Sequence, residues 1–158
     1  MLATVLYVTD EQALENQLCF ALYAASRAMT GMYRPKLDAL GVTYPQYLVL
    51  LARWQRDGRT VGDLCAALEL DSGTLSPLLK RLESAGFVAR RRSAADERRV
   101  EITLTDRGRE LRSAACHIPG QSAEITGMSL TELSELRETL HRLTAALTHH
   151  TRSKENPA

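Results

Sequence analysis

The feature that most constrains this chain is a change of hydrophobic period at Gly86. Upstream, apolar residues recur three and four positions apart, as on a helix face; downstream they alternate, as on a strand. Val61, Leu64, Cys65 and Leu68 predict a short helix opened by the capping run Thr60-Val61-Gly62-Asp63. Glu69-Leu70-Asp71 is a three-residue break. Ser72 to Ala85 reads as a second helix, with Asp71 as its cap and Gly86 at the left-handed position past its end. Phe87 to Arg90 and Val100 to Leu104 read as two strands around a charged loop, Ser93 to Arg99. The order predicts a mainly α fold with a small β-hairpin.

Longer helices flank this unit. Thr9 with Gln12 forms a capping-box pattern, and Leu14, Leu18, Leu22 and Met29 predict a helix from Thr9 to Tyr33. Pro35 is expected to interrupt it and Gly41 to close a short helical piece beyond. Thr43 and Gln46 predict a second capping box, with Pro45 in the first turn. Tyr47, Leu48, Leu50, Leu51 and Trp54 mark the inner face of the helix that ends at Asp57-Gly58. Thr105 is expected to cap a helix to about His117, broken by Pro119-Gly120, and Ser129 with Glu132 to start the last one. That last helix carries Leu130, Leu133, Leu136, Leu140, Leu143 and Leu147 in one narrow stripe. Two long amphipathic terminal helices predict a homodimer interface. The expected layout is a single domain over 1–158, with 9–40 and 105–150 dimerising and 44–104 carrying the helix-turn-helix and hairpin. Only the tail from Ser153 to Ala158 reads as disordered.

Helix, turn, helix and hairpin make up a winged helix-turn-helix. Such a unit lays its second helix in the DNA major groove and braces it with the first. The residues expected to meet bases or phosphates are Ser72, Thr74, Ser76 and Pro77 in the first turns, then Lys80 and Arg81. Arg98 and Arg99 at the hairpin tip would reach the minor groove or its phosphates, with Asp96 holding the Arg98 guanidinium extended. The net charge is only +1, yet Lys80 to Arg99 holds seven basic and three acidic residues. This local stripe on a nearly neutral chain is the footprint of a small phosphate-binding surface. No run of 18 apolar residues and no signal-peptide pattern occurs, so the expectation is a cytoplasmic protein. Cys19, Cys65 and Cys116 are too scattered for zinc, and neither metal nor cofactor is expected.

The run Asp71-Ser72-Gly73-Thr74-Leu75-Ser76-Pro77-Leu78-Leu79-Lys80-Arg81-Leu82-Glu83, with Asp96-Glu97-Arg98-Arg99 and Leu104-Thr105, resembles the MarR family of transcription regulators. The similarity runs from about Leu14 to Leu147. Leu14 to Tyr23 and Gly41 to Tyr47 resemble the OhrR subgroup, repressors that sense organic hydroperoxides through one cysteine. The resemblance implies no enzyme, but a homodimer that binds a near-palindromic operator when reduced and leaves it when Cys19 is oxidised. It also implies that Tyr23, Tyr33 and Tyr44 support Cys19, the last two across the dimer.

Four residues apart on one helix, Cys19 and Tyr23 share a face, and a phenol hydroxyl can donate to a thiolate. A free cysteine is otherwise most often a small buried hydrophobe. The sulfenic acid would condense with Cys116 or with a small cellular thiol. The subgroup's second cysteine falls nearer the last helix, where this chain has Glu124 and Thr126. Cys65 is expected in the core. Three other readings stay open: a repressor released by a small aromatic ligand, a thiol peroxidase using Cys19, and a protein-interaction module.

Overall fold

The computed structural model describes residues 13–93, 99–118 and 122–155. The chain forms two compact units, Met1–Cys116 and His117–Ala158. Among the described residues no helix is long and apolar enough to cross a membrane.

The first unit opens with a 3-10 turn, Leu14–Asn16, followed by α1 (Leu18–Leu40) and α2 (Tyr44–Gln55). Strand β1 (Arg59–Thr60) precedes α3 (Val61–Leu68) and α4 (Ser72–Ser84), and β2 (Val88–Arg92) and β3 (Val100–Leu104) lead into α5 (Asp106–Ala115). The sheet order is β1-β3-β2, all antiparallel, with Val88 opposite Leu104 and Arg92 opposite Val100. This is the predicted winged helix-turn-helix. One strand was not legible, because two residues at Arg59–Thr60 carry no period.

The core lies where α2, α3, α4 and the sheet meet. Leu64, Leu75, Leu82, Val49, Leu50 and Ile102 are wholly buried. Each such side chain contributes about 1.5–3 kcal/mol by leaving water. The predicted caps at Thr60, Thr43 and Thr105 form around this core. Thr60 accepts from Asp63 N–H at 3.1 Å while Asp63 accepts from Thr60 N–H at 3.0 Å. Gln46 accepts from Thr43 N–H at 2.8 Å. Thr105 caps α5 by accepting from Gly108 N–H at 3.1 Å. Between α3 and α4, Glu69 takes a left-handed φ of 54° without being glycine. That conformation crowds its Cβ against the next carbonyl, so Glu69→Gly is expected to raise stability by up to about 1 kcal/mol, read from the urea midpoint.

The first helix departs from expectation at both ends. Leu14 lies in a separate 3-10 turn, and Gln17, extended at φ −84° and ψ 115°, divides that turn from α1. The Thr9–Gln12 box lies outside the described residues. Pro35 does not interrupt α1, which continues to Leu40 and ends on a left-handed Gly41. Proline's missing N–H frees the carbonyl of Gly31 four residues back, and both residues are exposed, so that oxygen need not be buried without a partner. Leu37, one turn on from Pro35's neighbours, is buried and holds the last turn to the core.

The second unit contains α6 (Ser122–Thr126), which the sequence did not suggest, and α7 (Leu130–Glu155). Pro119-Gly120 lies outside the described residues. Ser129 and Glu132 form the predicted box, with Ser129 N–H donating to Glu132 at 2.8 Å. Helix α7 runs on to Glu155, into the stretch expected to be disordered, since adding residues to an existing helix costs far less than nucleating one. Its leucine stripe is open: Leu130 is 78% exposed and Leu147 57%.

Candidate nucleic-acid interface and thiol site

Helix α4 has two faces with opposite tasks. Leu75, Leu79 and Leu82, four and three apart, turn into the core. Ser72, Thr74, Ser76, Pro77, Lys80 and Arg81 are exposed on the other side. Asp71 caps the helix, accepting from Thr74 N–H and Thr74 Oγ1, each at 2.8 Å. A Cβ at Gly73 would lie 3.0 Å from that carboxylate, so the missing side chain makes room for the cap. The Ser76 hydroxyl donates to Ser72 O at 2.6 Å. Thr74 and Ser76 therefore spend their protons inside the helix and present acceptor oxygens outward. Acceptors match base amino groups such as adenine N6 or cytosine N4; donation to a phosphate requires the hydroxyl to rotate first.

The hairpin extends from the same surface. Ser93 N–H donates to Arg99 O at 2.9 Å, closing the base of its loop. Arg91, Arg92 and Arg99 are exposed. Arg90 instead pairs with Glu83 on α4 at 3.1 Å, and Glu83 also accepts from Arg90 N–H at 3.3 Å. Asp96 and Arg98 lie outside the described residues. On the far side of the sheet Asp57 accepts from Arg53, which is wholly buried, and from Leu104 N–H at 3.1 Å. Sequence reading missed this pair, because Arg53 sits in an amphipathic helix where a cation is expected to face water.

Burial pushes the Asp57 carboxyl up. Hydrogen bonds from Arg53, Leu104 N–H and Gly58 N–H, with the Arg53 charge, outweigh it and hold the group below its ordinary 3.8. A folded value below the unfolded one means that the stabilisation is present above about pH 4 and lost as pH falls through the folded value. Asp57→Asn is expected to flatten the acid limb of urea stability without abolishing it. Asp63, Asp71 and Glu132 are also held low, chiefly by hydrogen bonds from Thr60, Thr74 and Ser129.

The expected thiol site is divided along α1. Cys19 is exposed near the start of the helix, beside Phe20 at 40% and Tyr23 at 59% exposure. The Tyr23 hydroxyl accepts from Arg27 Nη1 at 3.4 Å, and the Arg27 guanidinium lies 5.5 Å from the Tyr23 ring centre. That leaves the phenol proton available to a second acceptor. Tyr33 stacks on Tyr44 with ring centres 5.4 Å apart and an angle of 18°. Tyr47 and Trp54 continue the aromatic row along α2, at 6.5 and 6.0 Å. Burial, then the neighbouring Tyr33, pushes the Tyr44 phenol up, so it stays a neutral hydrogen-bond donor at ordinary pH. Fourteen residues of helix, about 21 Å, separate Cys19 from Tyr33. Within one chain the tyrosine pair and the thiol therefore do not meet.

A cavity of about 340 Å³ opens beside Tyr44, lined by Thr30, Arg34, Leu37, Asp38 and Pro45 among others. Cys116 is exposed at the C-terminal cap of α5. Cys65 is half-buried in α3 rather than enclosed.

Comparison with known proteins agrees with this architecture. The SarA/Rot family of transcriptional regulators matches residues 31–114. The chain is similar to the organic hydroperoxide resistance transcriptional regulator of Bacillus subtilis, 48% identical over 138 residues, covering 87% of this chain and 94% of that one. It is also similar to the HTH-type transcriptional regulator TtmR of Methylorubrum extorquens, 46% identical over 149 residues, 94% of this chain and 76% of the relative. Among solved structures, reduced AbfR bound to DNA superposes with a TM-score of 0.71 at 36% identity, covering 90% of this chain and 97% of that one; AbfR comes from Staphylococcus epidermidis. Near-full-length identity on both sides, together with the winged helix, places this chain in the MarR family of transcriptional regulators, beside the hydroperoxide-resistance regulators.

Proposed function

We propose that the chain is a redox-sensing repressor that binds operator DNA as a reduced homodimer and releases it when an organic hydroperoxide oxidises Cys19. The observation that carries this reading is the division of the thiol site. Cys19 is exposed and the Tyr33–Tyr44 pair lies about 21 Å along the same helix, a separation that favours a site shared between two copies. The exposed leucines of α7 and the exposed Leu18 on α1 offer apolar surface for that second copy. In such a dimer the two α4 helices read half-sites about one DNA turn apart.

The chemistry balances on named groups. The Cys19 thiolate attacks the outer peroxide oxygen; the S–O bond forms, the O–O bond breaks, and the peroxide leaves as its alcohol after taking one proton. Sulfur is oxidised by two electrons to the sulfenic acid. Attack by a second thiol, from Cys116 or a small cellular thiol, forms the S–S bond and expels water. Tyrosine hydroxyls donate to the thiolate before the reaction and to the leaving oxygen during it. A polar, larger adduct then no longer fits beside Phe20 and the rings, and the spacing of the two α4 helices changes.

The test is a gel shift on the duplex upstream of the chain's own gene, reduced and after cumene hydroperoxide, with mass mapping of the cysteines. Release with one equivalent of peroxide consumed per subunit supports the sensor. Steady turnover with a thiol reductant would move the assignment to a peroxidase. Arg98→Ala is expected to weaken operator binding and lower the log–log salt slope by about 1, as the loss of one phosphate contact requires. An unchanged slope would argue for a module that does not bind DNA through its hairpin.

A further inference from the structure

The hairpin is thin and needs anchoring. Among the described residues its one further strand is β1, two residues long, on the β3 edge. On the β2 side, Glu83 holds Arg90 through both its guanidinium and its N–H. On the β3 side the corresponding group is Asp57. Its Oδ1 accepts from Arg53, from Leu104 N–H at 3.1 Å and from Gly58 N–H at 3.0 Å, and Oδ2 lies 3.6 Å from Arg109 Nη2 on α5. The Gly58 bond is what any turn aspartate makes; the Leu104 bond spans 47 residues and fastens the end of β3.

Arg53 is the reason the carboxylate cannot drift. Its side chain is fully buried, and its Nε and Nη1 have no hydrogen-bond partner among the described residues, so Asp57 is its counter-charge. Burying a cation with one partner is a poor source of stability, since desolvation offsets most of the attraction. What such a pair supplies is a fixed position. The consequence falls on the hairpin, because Leu104 pairs with Val88 and the two strands run from there to Arg92 and Val100, next to Arg99.

We infer that Asp57 is a positioning residue for the wing: locked by the buried Arg53, its carboxylate fixes the base of β3 and so sets where Arg99 and the neighbouring hairpin cations meet DNA phosphates. This rests on the DNA-binding reading above and adds a residue that touches no DNA itself.

The test removes the buried charge first, so that no unpaired buried cation is left behind; with the lock gone but the carboxylate kept, Arg53→Met alone is expected to quicken exchange at Val100 to Leu104 over the wild type, and equal exchange would overturn the role of Arg53. In an Arg53→Met background, Asp57→Ala deletes the acceptor for Leu104 N–H, whereas Asp57→Asn keeps an amide oxygen there. Both double variants are checked for wild-type far-UV dichroism. Hydrogen exchange on the free protein is expected to be faster at Val100 to Leu104 in the alanine variant than in the asparagine one, with α4 protection equal in both. On the upstream duplex the alanine variant is expected to lose about tenfold in affinity and about 1 in salt slope. The asparagine variant should recover part of both, and adding Arg99→Ala to the alanine variant should cost little more. Equal exchange in the two variants, or an Arg99→Ala loss that adds in full, overturns the inference. If exchange differs as expected but the wild-type chain binds no duplex, the DNA-binding reading falls and takes this role with it.

Discussion

Gly108→Ala is expected to destabilise the fold by about 3 kcal/mol or more, since among the described glycines its added Cβ meets the closest obstacle. A Cβ built on Gly108 lies 2.0 Å from the Phe87 carbonyl oxygen, 3.0 Å from its carbon and 3.2 Å from Leu104 Cδ2. The obstacle is backbone, so no side-chain rotation relieves it. The Phe87 carbonyl already accepts from Thr105 N–H at 3.1 Å, and Gly108 O accepts from Trp54 Nε1 at 2.9 Å. Moving α5 away breaks the second bond and leaves the indole N–H to find another partner; moving Phe87 disturbs the start of the hairpin. Urea denaturation should show a much lower midpoint with an unchanged slope. Gly62→Ala is the control. It lies in the first turn of α3 with only the Thr60 hydroxyl, 3.8 Å away, near its Cβ position, and should be neutral or stabilising by up to about 1 kcal/mol. Comparable losses at both positions would mean that the close approach at Gly108 is not what counts.

Cys19→Ser is expected to have the largest functional effect: full operator binding when reduced, and no release at a hydroperoxide dose that frees the wild-type chain. Serine keeps the size and the hydrogen-bonding capacity at position 19, so reduced binding is preserved. It loses the chemistry, because an alcohol has no thiolate accessible near neutral pH. Gel shifts across a cumene hydroperoxide titration read this directly. Persistent release in the serine variant would defeat the thiol reading. It would favour instead a small aromatic ligand in the cavity of about 340 Å³ beside Tyr44, where Arg34 offers a cation to a carboxylate.

Much of the framework was legible because it is written in local chemistry. The capping pairs at Thr43–Gln46, Thr60–Asp63 and Ser129–Glu132 act over three residues, and each forms. The change of period at Gly86 marks the passage from α4 to the hairpin, and Gly86 takes the positive φ of 75° that its position requires. Where local rules misled, a weak local preference met a context that overrode it. Pro35 breaks helices on average, yet here Gly31, whose carbonyl it frees, lies on the exposed side and the helix goes on.

The local sequence by itself determined the order of helices and strands apart from β1 and α6, the face of α4 that turns inward, and the polar face it leaves free, because helix and strand periods and capping residues act within a few positions. The proposal of Cys19 came through resemblance, with helical spacing adding Tyr23 on the same face. Tertiary structure alone decided the burial of Arg53 against Asp57, the link from Asp57 to Leu104 across 47 residues, and the contact that forbids a side chain at Gly108. These are matters of distance between segments far apart in the chain, and no local period encodes a distance.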